Sequence, residues 1–110
     1  MDKENALAAL SALAHETRLD VFRTLIQAGP DGLAAGDIAD KHQVVQNTMS
    51  SHLAILSRAG LISRLRDGRS IRYSADYDAM RALLMYLLED CCRGEAQICA
   101  PIAEAMACHC

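Results

Sequence analysis

The stretch from Gln46 to Ser74 restricts the fold more than any other part of this chain. It opens with QNTMSSHLAILSRAG, in which Met49, Leu53 and Leu56 recur at i, i+4 and i+7. That spacing puts one apolar stripe on a helix running from about Gln46 to Ala59. Gly60 follows where a left-handed residue commonly ends a helix. Two short runs come next, LISRLR and RSIRYS, separated only by Asp67-Gly68. Asp-Gly between alternating runs is a strong signal for a two-residue hairpin turn. Along the second run Ile71 and Tyr73 face one way, and Ser70, Arg72 and Ser74 the other.

The remaining segments read as helices around this unit. At 110 residues the chain fits one domain with a small core. With no Trp and one Phe, that core falls to Leu, Ala, Ile and Met. Asp2 or Asn5 can open a first helix, rich in Ala, with Leu7, Leu10 and Leu13 spaced by three. A second fits Glu16 to Ala28, with Leu19, Phe22, Leu25 and Ile26 on one face and Gly29-Pro30 as its stop. Asp31-Gly32 makes a turn, and a short third helix fits Ala35 to Lys41. His42 to Val45 is a tight connection to the fourth. A fifth begins near Asp76 or Asp78, either of which can cap it. It carries a stripe of Met80, Leu83, Leu84, Leu87, Leu88 and Cys91. One small domain does not easily cover the apolar faces of both the first and fifth helices, so these two are expected to pair across a two-fold axis.

Charge distribution points to a partner. The net charge is −3, which argues against a simple basic nucleic-acid binder. Residues 46–73, however, hold five arginines (Arg58, Arg64, Arg66, Arg69, Arg72) against one acid, Asp67. The segments on either side are both acidic. Positive charge is thus gathered where it can face an anion while the body repels it. Gln46, Asn47, Ser50, Ser51, Ala54 and Arg58 lie mostly on the outer side of the fourth helix. Small hydrogen-bonding side chains on a helix suit base edges, and arginines on a hairpin suit phosphates.

The third helix, its turn, the fourth helix and the hairpin together make a winged helix-turn-helix. The strings LAHETRLDVFRTLIQAG and DIADKHQVVQNTMSSHLAILSRAGLISRLRDGRSIRYS resemble the ArsR/SmtB family of metalloregulatory winged-helix repressors, over roughly residues 5 to 90. The resemblance implies DNA contacts from the early recognition helix and the wing: Gln46, Asn47, Thr48, Ser50, Ser51 and His52, with Arg64, Arg66, Arg69 and Arg72. Gln and Asn suit adenine edges. Arg69, at the wing tip, suits groove entry; Arg64 and Arg72 suit phosphate. His52 is placed equally well half-buried beneath the helix. His15 and His42 read as surface or helix-end residues. The chain departs from the family in having Val45 where Ser or Thr often caps the recognition helix, so Gln46 or Asn47 must cap it, or nothing does.

All five cysteines fall in the last twenty residues: Cys91, Cys92, Cys99, Cys108 and Cys110. In a reduced compartment such clustering suggests soft-metal binding or thiol redox chemistry. Two inducer sites known in the resembling family are poorly matched. The cysteine pair on the third helix is replaced by Ala34-Ala35-Gly36-Asp37, and the fifth helix has Asp76 and Asp78 but no histidine. The resemblance then implies a variant arsenite sensor in which Cys91, Cys92 and Cys99 hold trivalent arsenic or antimony through three thiolates. Glu89 and Asp90 beside a helix C-terminus disfavour a preformed thiolate, which suits displacement of protons by a thiophilic ion better than redox sensing.

These readings define expectations. The fold is mainly α with a small β-hairpin, comprising five helices and a two-stranded wing, and dimerises through the first and fifth helices. Residues 1–94 form the DNA-binding and dimerisation domain, and 95–110 a cysteine-containing tail. The function is a repressor of double-stranded operator DNA, released by As(III) or Sb(III), with no catalytic cofactor. Other thiophilic metals or thiol oxidation are alternative triggers. An enzyme is disfavoured for want of Cys-x-x-Cys, a phosphate loop or a nucleophile–base pairing. No apolar run reaches the roughly 18 residues of a membrane span and no secretory signal is evident, so a cytoplasmic location is expected.

Overall fold

A computed structural model of the chain describes residues 1–89, 100–102 and 104–105. The element order is α1 (Lys3–Leu13), α2 (Glu16–Ala28), β1 (Leu33–Ala34), α3 (Ala35–His42), α4 (Gln46–Arg58), β2 (Ile62–Asp67), β3 (Ser70–Ala75) and α5 (Tyr77–Leu88). Residues 100–102 and 104–105 are also helical, so the described chain holds more helix than the five expected.

Local chemistry accounts for the boundaries. Asp2 caps α1, its Oδ1 accepting from the Asn5 amide at 2.8 Å. Asp76 caps α5, accepting from the Ala79 amide at 3.0 Å. His15 caps α2, with Nδ1 accepting from the Thr17 amide at 3.2 Å. α4 starts at Val45 with no capping side chain, so neither Gln46 nor Asn47 supplies one. Gly60, at φ +79°, ends α4 as expected.

The sheet has three strands, in the order β1-β3-β2, rather than the two of a simple wing. β1 pairs Leu33 with Tyr73 and Ala34 with Arg72. Its approach demands glycine at 32, where φ is +66° and an added Cβ would run into the Tyr73 carbonyl. The hairpin register also differs by one residue from expectation. Asp67 pairs with Ser70, so the two-residue loop is Gly68-Arg69. Gly68 takes φ +62° and Arg69 does not take a positive φ, the pattern of a II′ turn with glycine first.

Every α-helix from α1 to α5 contributes to the core. Val21, Phe22 and Leu25 from α2, Ile38 and Ala39 from α3, and Met49, Leu53 and Leu56 from α4 are buried together with Leu61, Ile62, Ala75 and Leu83. Each large side chain so buried is worth about 1.5–3 kcal/mol. Helix α1 turns Ala6, Ala9 and Ala12 inward, because small residues allow close approach of neighbouring helices. Leu7 and Leu10 face outward, 57% and 39% exposed, while Leu13 packs partly buried against the core. Leu19 of α2 is also exposed rather than on the buried face. Among the described residues of the α5 stripe only Leu83 is buried, and Leu87 is exposed; Met85, outside the stripe, is exposed as well. The Tyr77 hydroxyl donates to the Ile26 carbonyl at 2.8 Å and fixes the start of α5 on the end of α2.

Candidate nucleic-acid interface

The α3–turn–α4 unit fixes the attitude of α4. Gln43 adopts the left-handed conformation (φ 55°) at the end of α3, and the Val44 amide returns to the Ala39 carbonyl at 3.0 Å. Val44 is partly buried against the core. With Met49, Leu53 and Leu56 holding the inner side of α4, the opposite side is presented to solvent. Gln46, Asn47, Thr48, Ser50 and Ser51 are all exposed, and so are Ala54 and Arg58 farther along. The Ser51 hydroxyl donates to the Asn47 carbonyl at 3.3 Å, leaving its lone pairs outward.

The wing arginines divide into two kinds. Arg64, Arg66 and Arg69 are exposed and have no hydrogen-bond or salt-bridge partner among the described residues. Arg72 is half-buried and engaged. Its Nε donates to the Asp31 carbonyl at 3.0 Å and its Nη2 to the Gly32 carbonyl at 2.9 Å. Arg72 therefore ties the wing to the turn before β1, a task that strand alternation does not reveal.

His52 is half-buried rather than on the open face. Its Nδ1 lies 3.5 Å from Arg18 Nη1, and its ring centroid is 4.7 Å from that of His15. Arg18 in turn donates from Nε to the Ala12 carbonyl at 2.7 Å. Burial first, then the nearby His15 and Arg18, push the His52 pKa below its ordinary value. A neutral imidazole can accept from Arg18, so His52 joins α4 to the α1–α2 corner. His42, at the end of α3, pairs through Nε2 with the Thr24 hydroxyl at 3.1 Å.

The expected inducer residues Cys91, Cys92 and Cys99 lie outside the described residues, as do Cys108 and Cys110. Among the described residues no group of three His, Cys, Asp or Glu side chains is arranged to hold a metal ion. No described helix is long and apolar enough to cross a membrane.

A polar, solvent-facing helix set on a helix-turn-helix and flanked by an arginine hairpin defines a winged helix-turn-helix DNA-binding protein. A family model for the helix-turn-helix domain matches residues 13–64. The HTH-type transcriptional regulator YgaV of Escherichia coli is 33% identical over 84 residues, covering 76% of this chain and 83% of that protein. The crystal structure of NolR from Sinorhizobium fredii superposes with a TM-score of 0.63 at 34% identity, covering 78% of this chain and 83% of that one. An ArsR-like transcriptional regulator from Rhodococcus sp. RHA1 shares the fold over 97% of this chain and 96% of its own, with a TM-score of 0.70 at 24% identity. The chain belongs to the helix-turn-helix transcriptional regulators, and ArsR-like regulators are among the proteins that share its fold. It is a DNA-binding regulator and not an enzyme.

Proposed function

We propose that the chain is a homodimeric repressor whose grip on operator DNA is released when trivalent arsenic or antimony binds cysteine. In this reading Gln46, Asn47, Thr48, Ser50 and Ser51 address base edges and sugar-phosphate in the major groove, and Arg64, Arg66 and Arg69 address phosphate or the adjoining groove. Arg72 braces the wing and His52 braces α4. The observation that carries the DNA-contact assignment is the continuous exposed polar face from Gln46 to Ser51 beside three unpartnered wing arginines.

The dimer is supported by the outward apolar residues of α1 and α5. These helices pack on one another, and Leu7, Leu10, Met85 and Leu87 remain exposed there. A two-fold axis through this surface would cover them and set two recognition helices for the halves of a palindrome.

The trigger is supported by the sequence. In the sequence Cys91 and Cys92 come after Leu88, the last residue of α5, with only Glu89 and Asp90 between, and all five thiols sit within the last twenty residues. Three thiolates from Cys91, Cys92 and Cys99 match the preference of a trivalent arsenical for sulfur. An ion held beside the dimer helix can favour a DNA-incompetent arrangement, with a coupling of about 1–3 kcal/mol in typical systems. Such a protein would work in a reducing cytoplasm. The experiment is titration of wild type and of Cys91→Ser, Cys92→Ser and Cys99→Ser with arsenite, following release of a bound palindromic duplex. Wild type should release and each mutant should resist. Release by all three mutants would remove these cysteines from the site. Insensitivity to arsenite, with loss of binding in peroxide and recovery in dithiothreitol, would transfer the trigger to thiol oxidation.

A further inference from the structure

We propose that Val45 is a specificity-determining residue that reads the methyl group of a thymine beside the bases addressed by Gln46 and Asn47. This rests on the DNA-binding reading of α4 and deepens it.

Val45 occupies the N-cap of α4 with extended backbone (φ −61°, ψ 147°) and makes no capping hydrogen bond. The position ordinarily favours Ser, Thr, Asp or Asn, because their oxygens satisfy amides of the first turn. This chain forgoes that and places a hydrocarbon side chain in solvent. Val45 is 71% exposed, the highest value among the described exposed large hydrophobic residues. The others include Leu7, Leu10, Met85 and Leu87, which lie on α1 and α5 and have a dimer face to account for them. Val45 lies on neither helix but at the N-terminal end of α4, the helix read above as meeting DNA. Its neighbour Val44 is partly buried against the core. Val45 instead stands in solvent next to exposed Gln46 and Asn47.

The N-terminal residues of a recognition helix are those that approach base edges. The major groove displays one apolar group, the C5-methyl of thymine. A β-branched side chain meets it at small entropic cost, because χ1 is already restricted. Serine at this position would cap the helix and lose the contact. Valine makes the opposite choice, and so gives this chain a preference for thymine that a serine-capped recognition helix lacks.

The test begins with selection of duplexes from a random pool by the full-length wild-type protein. In the enriched palindrome each symmetric pair of thymines is then replaced by deoxyuridine, which removes the methyl alone. Affinities of wild type and Val45→Ser are measured for every substituted duplex. Removing one methyl from a good apolar contact costs about fourfold in affinity, and so roughly fifteenfold for a symmetric pair. The expected result is one pair at which uracil weakens wild type by about this factor and leaves Val45→Ser unchanged. Thermal unfolding of Val45→Ser at or above the wild-type temperature confirms that its fold is intact. Equal uracil penalties in both proteins at every thymine, or an enriched site without thymine in the region covered by α4, would overturn the role of Val45 alone. A pool that enriches no duplex would overturn the DNA-binding reading itself.

Discussion

Replacing Arg72 with methionine separates bracing of the wing from grip on DNA. Methionine keeps most of the apolar stem and removes the guanidinium. Two hydrogen bonds are lost, the 3.0 Å bond to the Asp31 carbonyl and the 2.9 Å bond to the Gly32 carbonyl. Bonds involving a charged group contribute about 1.5–3 kcal/mol each when sheltered. The bond to Asp31 is solvent-exposed and counts for little; the bond to Gly32 is partly buried and keeps most of its value. The expected loss is roughly 2 kcal/mol, which lowers Tm by roughly 8 °C for a chain of this size. Arg69→Met, lacking an intramolecular partner, should change stability by less than about 0.5 kcal/mol. The order reverses on DNA. Each phosphate contact contributes about 0.9 to the slope of log affinity against log salt. Arg69→Met should flatten that slope by up to about 2 per dimer, and Arg72→Met should leave it alone. The assays are thermal unfolding at fixed protein concentration and anisotropy titrations across a salt series. Equal Tm losses in the two variants, or a slope that falls as far for Arg72→Met as for Arg69→Met, would refute this division of labour.

Other perturbations probe different elements. Gly32→Ala forces a Cβ toward the Tyr73 carbonyl at a positive φ, and should cost about 1–3 kcal/mol in denaturant unfolding; a neutral effect would mean that β1 does not need its close approach to β3. His52 has a depressed folded pKa, so the unfolded chain takes up the proton first. Its contribution to stability is present above about pH 6.5 and is lost as the pH falls through the lower folded value. His52→Gln should flatten stability against pH in that window, and an unchanged profile would exclude His52 as a source of the acid sensitivity. Leu87→Glu should place charge in the proposed two-fold face and convert dimer to monomer in sedimentation equilibrium; a dimer that survives would move the interface away from α5.

Much of this architecture was legible where side-chain periodicity is long enough to be unambiguous. Met49, Leu53 and Leu56 define the inner side of α4, and all three are buried. Glu16 and Ala28 bound α2 as expected, with Gly29-Pro30 as its stop. The helix-turn-helix and hairpin, and with them a DNA-binding regulator, could be read in the same way. What escaped has physical reasons. β1 is two residues long, too short for any period, and owes its existence to pairing with β3 forty residues away. The loop tip shifted to Gly68-Arg69 because Asp67 could pair with Ser70, while Asp-Gly is equally compatible with either placement. On α1 leucine spacing draws the eye, yet the alanines face inward, since packing distance rather than hydrophobicity decides which side meets a neighbouring helix. Arg72 and His52 carry the same local pattern as the surrounding residues proposed to face DNA. Only tertiary partners, the Asp31 and Gly32 carbonyls in one case and Arg18 with His15 in the other, distinguish their roles.

Amide chemical-shift mapping on the labelled protein, with and without an enriched palindromic duplex, tests the central assignment most directly. The strongest perturbations should fall on residues 45–51 and 64–69, with α1 and the outer face of α5 nearly unmoved. Shifts concentrated on α1 and α5, with Asn47, Ser50 and Arg69 silent, would contradict it.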